Sequence, residues 1–278
     1  MTQSANRLIR TITNHPRLVE LARRLHISGP LKEWEYRLRG PRDGLIHHVV
    51  GGVAVALATL DVVDFRIFDD CYRNEMDFIE ALAAKLGVGD VFYDIGSNAG
   101  QFLIPMAKIV GEGGQVIGFE PHPGNYKRLV TNLALNHLSN AEVFRVALAD
   151  RVGEVQLFGA GVNASVIPRA AQDQTQATTT VPAMRGDDLR SSLDLPLPKA
   201  VKIDVEGAEW AVLSGLPRTL SHPACQLLCL EIHPCLLPAE VSTERVLSLL
   251  RSLGFKRIEA LPRGTEIHIL ATKEPASS

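Results

Sequence analysis

The spacing of apolar residues changes several times along the 278-residue chain, and each change marks an element. Up to about residue 45, Leu18, Leu21 and Leu25 recur at helical spacing between Pro16 and Gly29-Pro30, predicting one or two short helices. Small and β-branched apolar residues from Val49 to Phe68 predict a pair of strands. Phe78, Ile79, Leu82 and Leu86 then predict a helix over Glu75–Leu86 that stops at Gly87. From there strands and helices alternate. The strands fall at Val91–Ile95, Gln115–Phe119, Val143–Ala147, Ala200–Ile203 and Gln226–Glu231, with a hairpin arm at Gly153–Phe158. The helices between them run to about Val110, over Gly124–His137 and over Ala208–Leu220; a further one spans Glu240–Leu253, before final strands near Lys256–Ala260 and Glu266–Ala271. Residues 160–198 carry a Gln/Thr tract and no long period, and are expected to be a mobile surface insertion.

This alternation predicts a doubly wound α/β fold, a mostly parallel seven-stranded sheet with helices on both faces. An N-terminal extension (1–70) precedes the main domain (71–278). Composition changes the picture only by exclusion. Net charge is −2, so the chain lacks the basic excess of a duplex-binding protein. Its most apolar window, Val49–Leu60, is well short of the roughly twenty residues a spanning helix needs, and no secretory signal opens the chain. Four cysteines make no disulfide scaffold, which points to a cytoplasmic, soluble protein.

The chemistry begins after the first sheet strand, with Asp94-Ile95-Gly96-Ser97-Asn98-Ala99-Gly100. A doubly wound sheet binds its nucleotide there, where Gly96 and Gly100 let the backbone turn and approach a ligand. The glycines do not follow the dinucleotide spacing, and the carboxylate of Asp94 would repel a pyrophosphate. It suits a ligand with sulfonium and ammonium charge and no phosphate, as in S-adenosylmethionine. Glu120 closes the second strand, where an acidic side chain accepts hydrogen bonds from ribose hydroxyls. Asp94 and Glu120 are therefore expected to cradle the ligand together, with Ser97 and Asn98 in the loop and Ala147–Asp150 beside the adenine.

These residues, with Gly118-Phe119-Glu120-Pro121-His122-Pro123, Asn132-Leu133-Ala134-Leu135-Asn136, Lys202-Ile203-Asp204-Val205-Glu206-Gly207-Ala208-Glu209 and Glu231-Ile232-His233, closely resemble the FkbM-type methyltransferase family. The resemblance runs from Glu75 to Ala271, and its most specific piece is the segment Lys202–Glu209. Departures are Pro105 inside a crossover helix, a weakened Asn163-Ala164-Ser165 stretch and the N-terminal extension. The resemblance implies S-adenosylmethionine as cofactor and O-methylation of a sugar, polyketide-like or other small-molecule hydroxyl.

Methyl transfer is an in-line displacement, so the protein must align the acceptor and accept its proton. The strand order places Asp204, Glu206 and Glu209 after the fourth parallel strand and Glu231 with His233 after the fifth, where the methyl group should point. His233, with an ordinary pKa of about 6.5, is expected to be neutral and is the first choice of base. Glu231 lies on the same strand face and would orient it; Asp204 would contact the cofactor or act as base; Glu206 opens the next helix. The expected site holds no metal, and the rival account is a divalent ion on Asp204, Glu231 and His233. Cys225 and Cys229 share a strand face with His233 but lack zinc-knuckle spacing, so they are expected to be core residues. The competing functions are a nicotinamide oxidoreductase on a similar fold, a nucleic-acid methyltransferase and a non-catalytic S-adenosylmethionine-binding module. The expected partner is a small-molecule hydroxyl acceptor rather than nucleic acid.

Overall fold

The computed structural model describes residues 36–37, 40–59, 62–158 and 178–273. The predicted N-terminal helices, the stretch 163–165 and the 172–177 part of the polar tract lie outside the described residues. The chain divides into two compact units, residues 1–48 with 56–76 and residues 49–55 with 77–278.

The expected strand pair forms earlier than predicted, as β1 (Leu45–Val50) and β2 (Val53–Ala58). Gly51 and Gly52, both at positive φ (54° and 80°), make the two-residue turn whose twist suits a hairpin. Phe65 and Phe68 belong instead to helix α1 (Val62–Asn74), where they are buried with Cys71 and Tyr72. In the second unit, α2 (Met76–Ala83) leads into β3 (Val91–Ile95), α3 (Leu103–Val110), β4 (Gln115–Phe119), α4 (Pro123–Leu135) and β5 (Ala141–Phe144). After the insertion come β9 (Ala200–Ile203), α6 (Glu209–Gly215), α7 (Pro217–Ser221), β10 (Leu227–Ile232), α8 (Thr243–Ser252), β11 (Arg257–Arg263) and β12 (Glu266–Thr272). The helix predicted over Ala208–Leu220 is two helices. Pro217 breaks it, because it cannot supply the N–H that a continuous helix requires.

Seven strands form one sheet in the order β11-β12-β10-β9-β3-β4-β5. β10, β9, β3, β4 and β5 run parallel, and β12 is antiparallel to both β10 and β11. The parallel strands read as continuous apolar runs (LLCLEI in β10, AVKI in β9), as strands covered on both faces must. Reversal of strand order beside β3 opens a crevice at the carboxyl ends of β3 and β4, which is where such a sheet binds ligands.

One expectation fails. Residues 160–198, expected to hold no regular element, contribute to a second sheet. Its strands are Ala147–Ala149 (β6), Gly153–Leu157 (β7) and Thr179–Arg185 (β8), in the order β6-β8-β7. Helix α5 (Gly186–Ser192) follows it. β8 escapes a reading by period because only Val181 and Ala183 are buried along it and Pro182 interrupts them.

Candidate active site

Gly96 turns the chain out of β3 with φ 83°. A Cβ there would lie 1.8 Å from the Asp204 carbonyl oxygen. The glycine is thus demanded by the neighbouring strand end rather than by a ligand. Gly100 (φ 97°) is likewise held by packing, since a Cβ would press on Ile104 and Leu129. The loop between them is tied to β4 by Glu120, which accepts from the backbone N–H groups of Asn98 and His122, each at 2.8 Å. Burial pushes the Glu120 carboxyl up to about 7, against the lowering effect of those two bonds.

A cavity of about 480 Å³ opens over these strand ends. Gly96, Asn98, Glu120 and Ala147 line it, as do Asp204 and Glu206 from the far wall. Val146, Leu148, Ala149, Leu157 and Trp210 supply apolar surface, and Asp150 stands at the end of the predicted adenine segment. Among the described residues, six carboxylates line the cavity against a single arginine, Arg151. That charge disfavours the pyrophosphate of a nicotinamide cofactor and favours a cationic ligand.

Asp94, Ser97 and Gly100 do not line the cavity. Asp94 is fully buried, and its cross-strand partner in the sheet register is Lys202, whose ammonium lies 3.6 Å from its carboxylate. The expected pairing of Asp94 with Glu120 around one ligand is therefore not what the structure presents. Ser97 donates to the Asp94 carbonyl at 2.8 Å. Lys202 continues to Asp204 (3.3 Å) and donates to the Gly96 carbonyl (3.1 Å). Burial opposes ionisation of Asp204, but Lys202, His233 and His268 outweigh it and hold the carboxyl below its ordinary range. Burial raises Asp94, with Lys202 opposing.

Glu231 and His233 stand behind the cavity wall rather than in it. The His233 ring is buried among carboxylates: Nδ1 meets Glu209 Oε1 at 2.7 Å, and Nε2 lies 3.1 Å from Glu206 and 3.7 Å from Glu231. Burial would lower His233, but the Glu209 hydrogen bond and the charges of Glu206, Glu209 and Asp204 raise it to about 9. This corrects the expectation of a neutral imidazole, because three acidic neighbours favour the imidazolium. Cys225 and Cys229 are buried core residues, as the spacing suggested, and burial raises both thiols.

Sequence reasoning left out Lys202, Glu266 and His268 as participants. Lys202 was legible, two residues before Asp204 on one strand and so on the same face. The other two were not, because only the antiparallel register of β12 sets His268 opposite Glu231, with 3.3 Å between Nε2 and Oε2.

A mostly parallel sheet with an acidic crevice at its carboxyl ends, lined by a glutamate that follows β4, is the arrangement of a Rossmann-like fold. The FkbM methyltransferase domain model matches residues 94–257, and the chain belongs to that family. Its cofactor is S-adenosylmethionine, and the residues present fit it. Glu120 offers a buried carboxylate to the cavity, and Asn98 has a buried Oδ1 with no hydrogen-bond partner among the described residues. The chain is 29% identical over 213 residues to the hexuronic acid methyltransferase AglP of Haloferax volcanii, covering 76% of this chain and 84% of that protein. It is 26% identical over 272 residues to the 31-O-demethyl-FK506 methyltransferase FkbM of Streptomyces tacrolimicus, covering 86% and 97%. Among solved structures, the fibrillarin of Aeropyrum pernix matches at 14% identity with a TM-score of 0.48, over 84% of this chain and 85% of that one.

Proposed function

We propose that this protein moves the methyl group of S-adenosylmethionine onto a hydroxyl of a small molecule of sugar or polyketide-like type. The observation that carries the reading is the cavity itself, with Glu120 at one wall and Asp204 and Glu206 at the other. Glu120 and the Ala147–Asp150 segment would hold the adenosyl group, and Asp204 and Glu206 would offer negative charge to its sulfonium. An acceptor oxygen attacks the methyl carbon as the carbon–sulfur bond breaks, leaving its electron pair on sulfur. The hydroxyl proton passes to Asp204, the partly exposed carboxylate at the tip of β9.

His233 gives up the role of base on geometric grounds, since both ring nitrogens face carboxylates and the ring is outside the cavity lining. Glu231 and Glu206 hold it in place. The names of the two curated relatives support sugar and polyketide acceptors. The acidic lining supports an acceptor other than a phosphate backbone. No helix among the described residues is long and apolar enough to cross a membrane. All four cysteines are free, which suits the reducing cytoplasm.

The test is a labelled-methyl transfer screen over sugars, polyketide-like alcohols and lipids, run on the wild type and on Asp204→Asn. A hydroxyl product with wild type is expected. Asp204→Asn is expected to keep its donor affinity within about threefold while kcat falls roughly 100-fold, the scale of a lost proton acceptor. Binding of NAD instead of the adenosyl donor would overturn the reading.

A further inference from the structure

The turn that carries Glu206 into the far wall of the cavity has two left-handed residues in succession, Glu206 at φ 53° and Gly207 at φ 101°. Glycine adopts that backbone freely, whereas a glutamate holds it only where its surroundings impose it. No side chain caps α6, whose N-cap is Ala208. The Gly207 N–H donates instead to Glu209 Oε1 at 2.9 Å, within the same turn.

One ring behind the turn holds it there. Glu209 Oε1 also meets His233 Nδ1 at 2.7 Å, so one oxygen of a fully buried acid joins the Gly207 N–H to the imidazole. On the other side of the ring, Nε2 lies 3.1 Å from Glu206 Oε2, with Glu231 at 3.7 Å and Glu266 at 4.0 Å. A lone pair on either nitrogen would face a carboxylate oxygen, so the geometry calls for a proton on each. The wider surroundings agree. Asp204 follows β9, Glu231 belongs to β10 and Glu266 to β12, while the cations Lys202 and Arg263 are engaged with Asp204 and Glu266. His268 of β12 is held below its ordinary range by burial and Arg263. Burial opposes charge on His233, but Glu209, Glu206 and Asp204 carry the ring to about 9.

The imidazole thus grips both parts of the left-handed turn. Glu206 Oε2 is buried against it, and Glu206 still lines the cavity together with Gly207 and Ala208. We infer that His233, protonated on both ring nitrogens, is a positioning residue: through Glu209 and Glu206 it locks the turn and fixes the Glu206 carboxylate at the cavity wall. The consequence for ligands rests on the methyl-transfer reading. A fixed carboxylate attracts the sulfonium of the donor and does nothing for the neutral thioether of the product, so the clamp sets the preference between the two. Without the imidazolium, Glu206 stands beside Glu209 and Glu231 with no charge between them, and like charges push it toward protonation.

The experiment is calorimetry of S-adenosylmethionine and S-adenosylhomocysteine on the full chain, as wild type, Glu206→Gln, His233→Gln and the double variant. The readout is the ratio of the two affinities. Each single variant is expected to lower the preference for the charged nucleoside about 3- to 10-fold, and the double variant no further than Glu206→Gln alone, as for two members of one unit. Glu120→Ala should weaken both nucleosides alike and leave the ratio where it was. A ring that only supports the fold would do the same, so an unchanged ratio in His233→Gln overturns the inference. So do additive losses in the double variant. In the wild type, nitrogen-resolved NMR at about pH 7.5 should find both His233 nitrogens protonated, which keeps the test valid if a variant fails to fold. A neutral ring overturns the inference without any variant. If the wild type binds neither nucleoside, the methyl-transfer reading fails, and the protonation of the ring still decides the clamp.

Discussion

The cavity has two walls built by different means. At the donor wall, between β3 and β4, backbone geometry does the positioning: glycines at positive φ, a buried glutamate holding two N–H groups, and a helix start at Pro123. At the acceptor wall, past β9 and β10, side-chain charge does it, with acids from two strand tips and a helix converging on one imidazole. On the proposed reading, the first wall holds the methyl donor. On the same reading, the second faces the acceptor.

The two walls meet at Gly96, so the strongest way to break the division is Gly96→Ala. Its new methyl would meet the Asp204 carbonyl at 1.8 Å on a left-handed backbone, disturbing both sides at once. A loss of about 3 kcal/mol or more in stability is expected, read by denaturant unfolding, together with loss of donor binding. A variant as stable as wild type would show the seam to be loose. Next in size, Glu120→Ala should act on the donor wall alone. It removes charge-assisted hydrogen bonds worth about 1.5–3 kcal/mol, a 10- to 100-fold weaker donor affinity by calorimetry.

The smallest effect sharpens the donor wall further. The Glu120 carboxyl titrates at about 7 in the folded chain against 4.5 in its ordinary state. The folded form therefore binds the extra proton between those values. Its contribution to stability is complete below pH 4.5 and fades as pH rises through about 7. Ribose hydroxyls donating to the ionised carboxylate pull the other way, so donor affinity should rise several-fold from about pH 5.5 to about 7.5, with proton release on binding. Calorimetry in buffers of differing ionisation heat detects that release, and Glu120→Gln should abolish it. An unchanged proton count in Glu120→Gln would assign the release to another group.

The donor wall was legible in the sequence because its signals are local. A strand run, a glycine pair and an acid at the next strand end lie within 27 residues, from Asp94 to Glu120. Strand order followed from the alternation of periods, and Asp204, Glu206, Glu231 and His233 were found as a group. What escaped depended on register. Asp94 faces Lys202 and not the ligand because β3 and β9 align those two residues, and His268 joins Glu231 through an antiparallel strand nearly forty residues on. β8 escaped because it buries two small residues around a proline.

Lys202 lies 3.3 Å from one acid and 3.6 Å from another, and that near-tie has a consequence for turnover. On the proposed reading, the sulfur becomes electrically neutral as it gives up its methyl group, and Asp204 takes up the proton of the acceptor hydroxyl. The total over the pocket does not alter; only its location does. Once Asp204 is protonated, the ammonium is free to lean toward Asp94, a partner already waiting in the sheet.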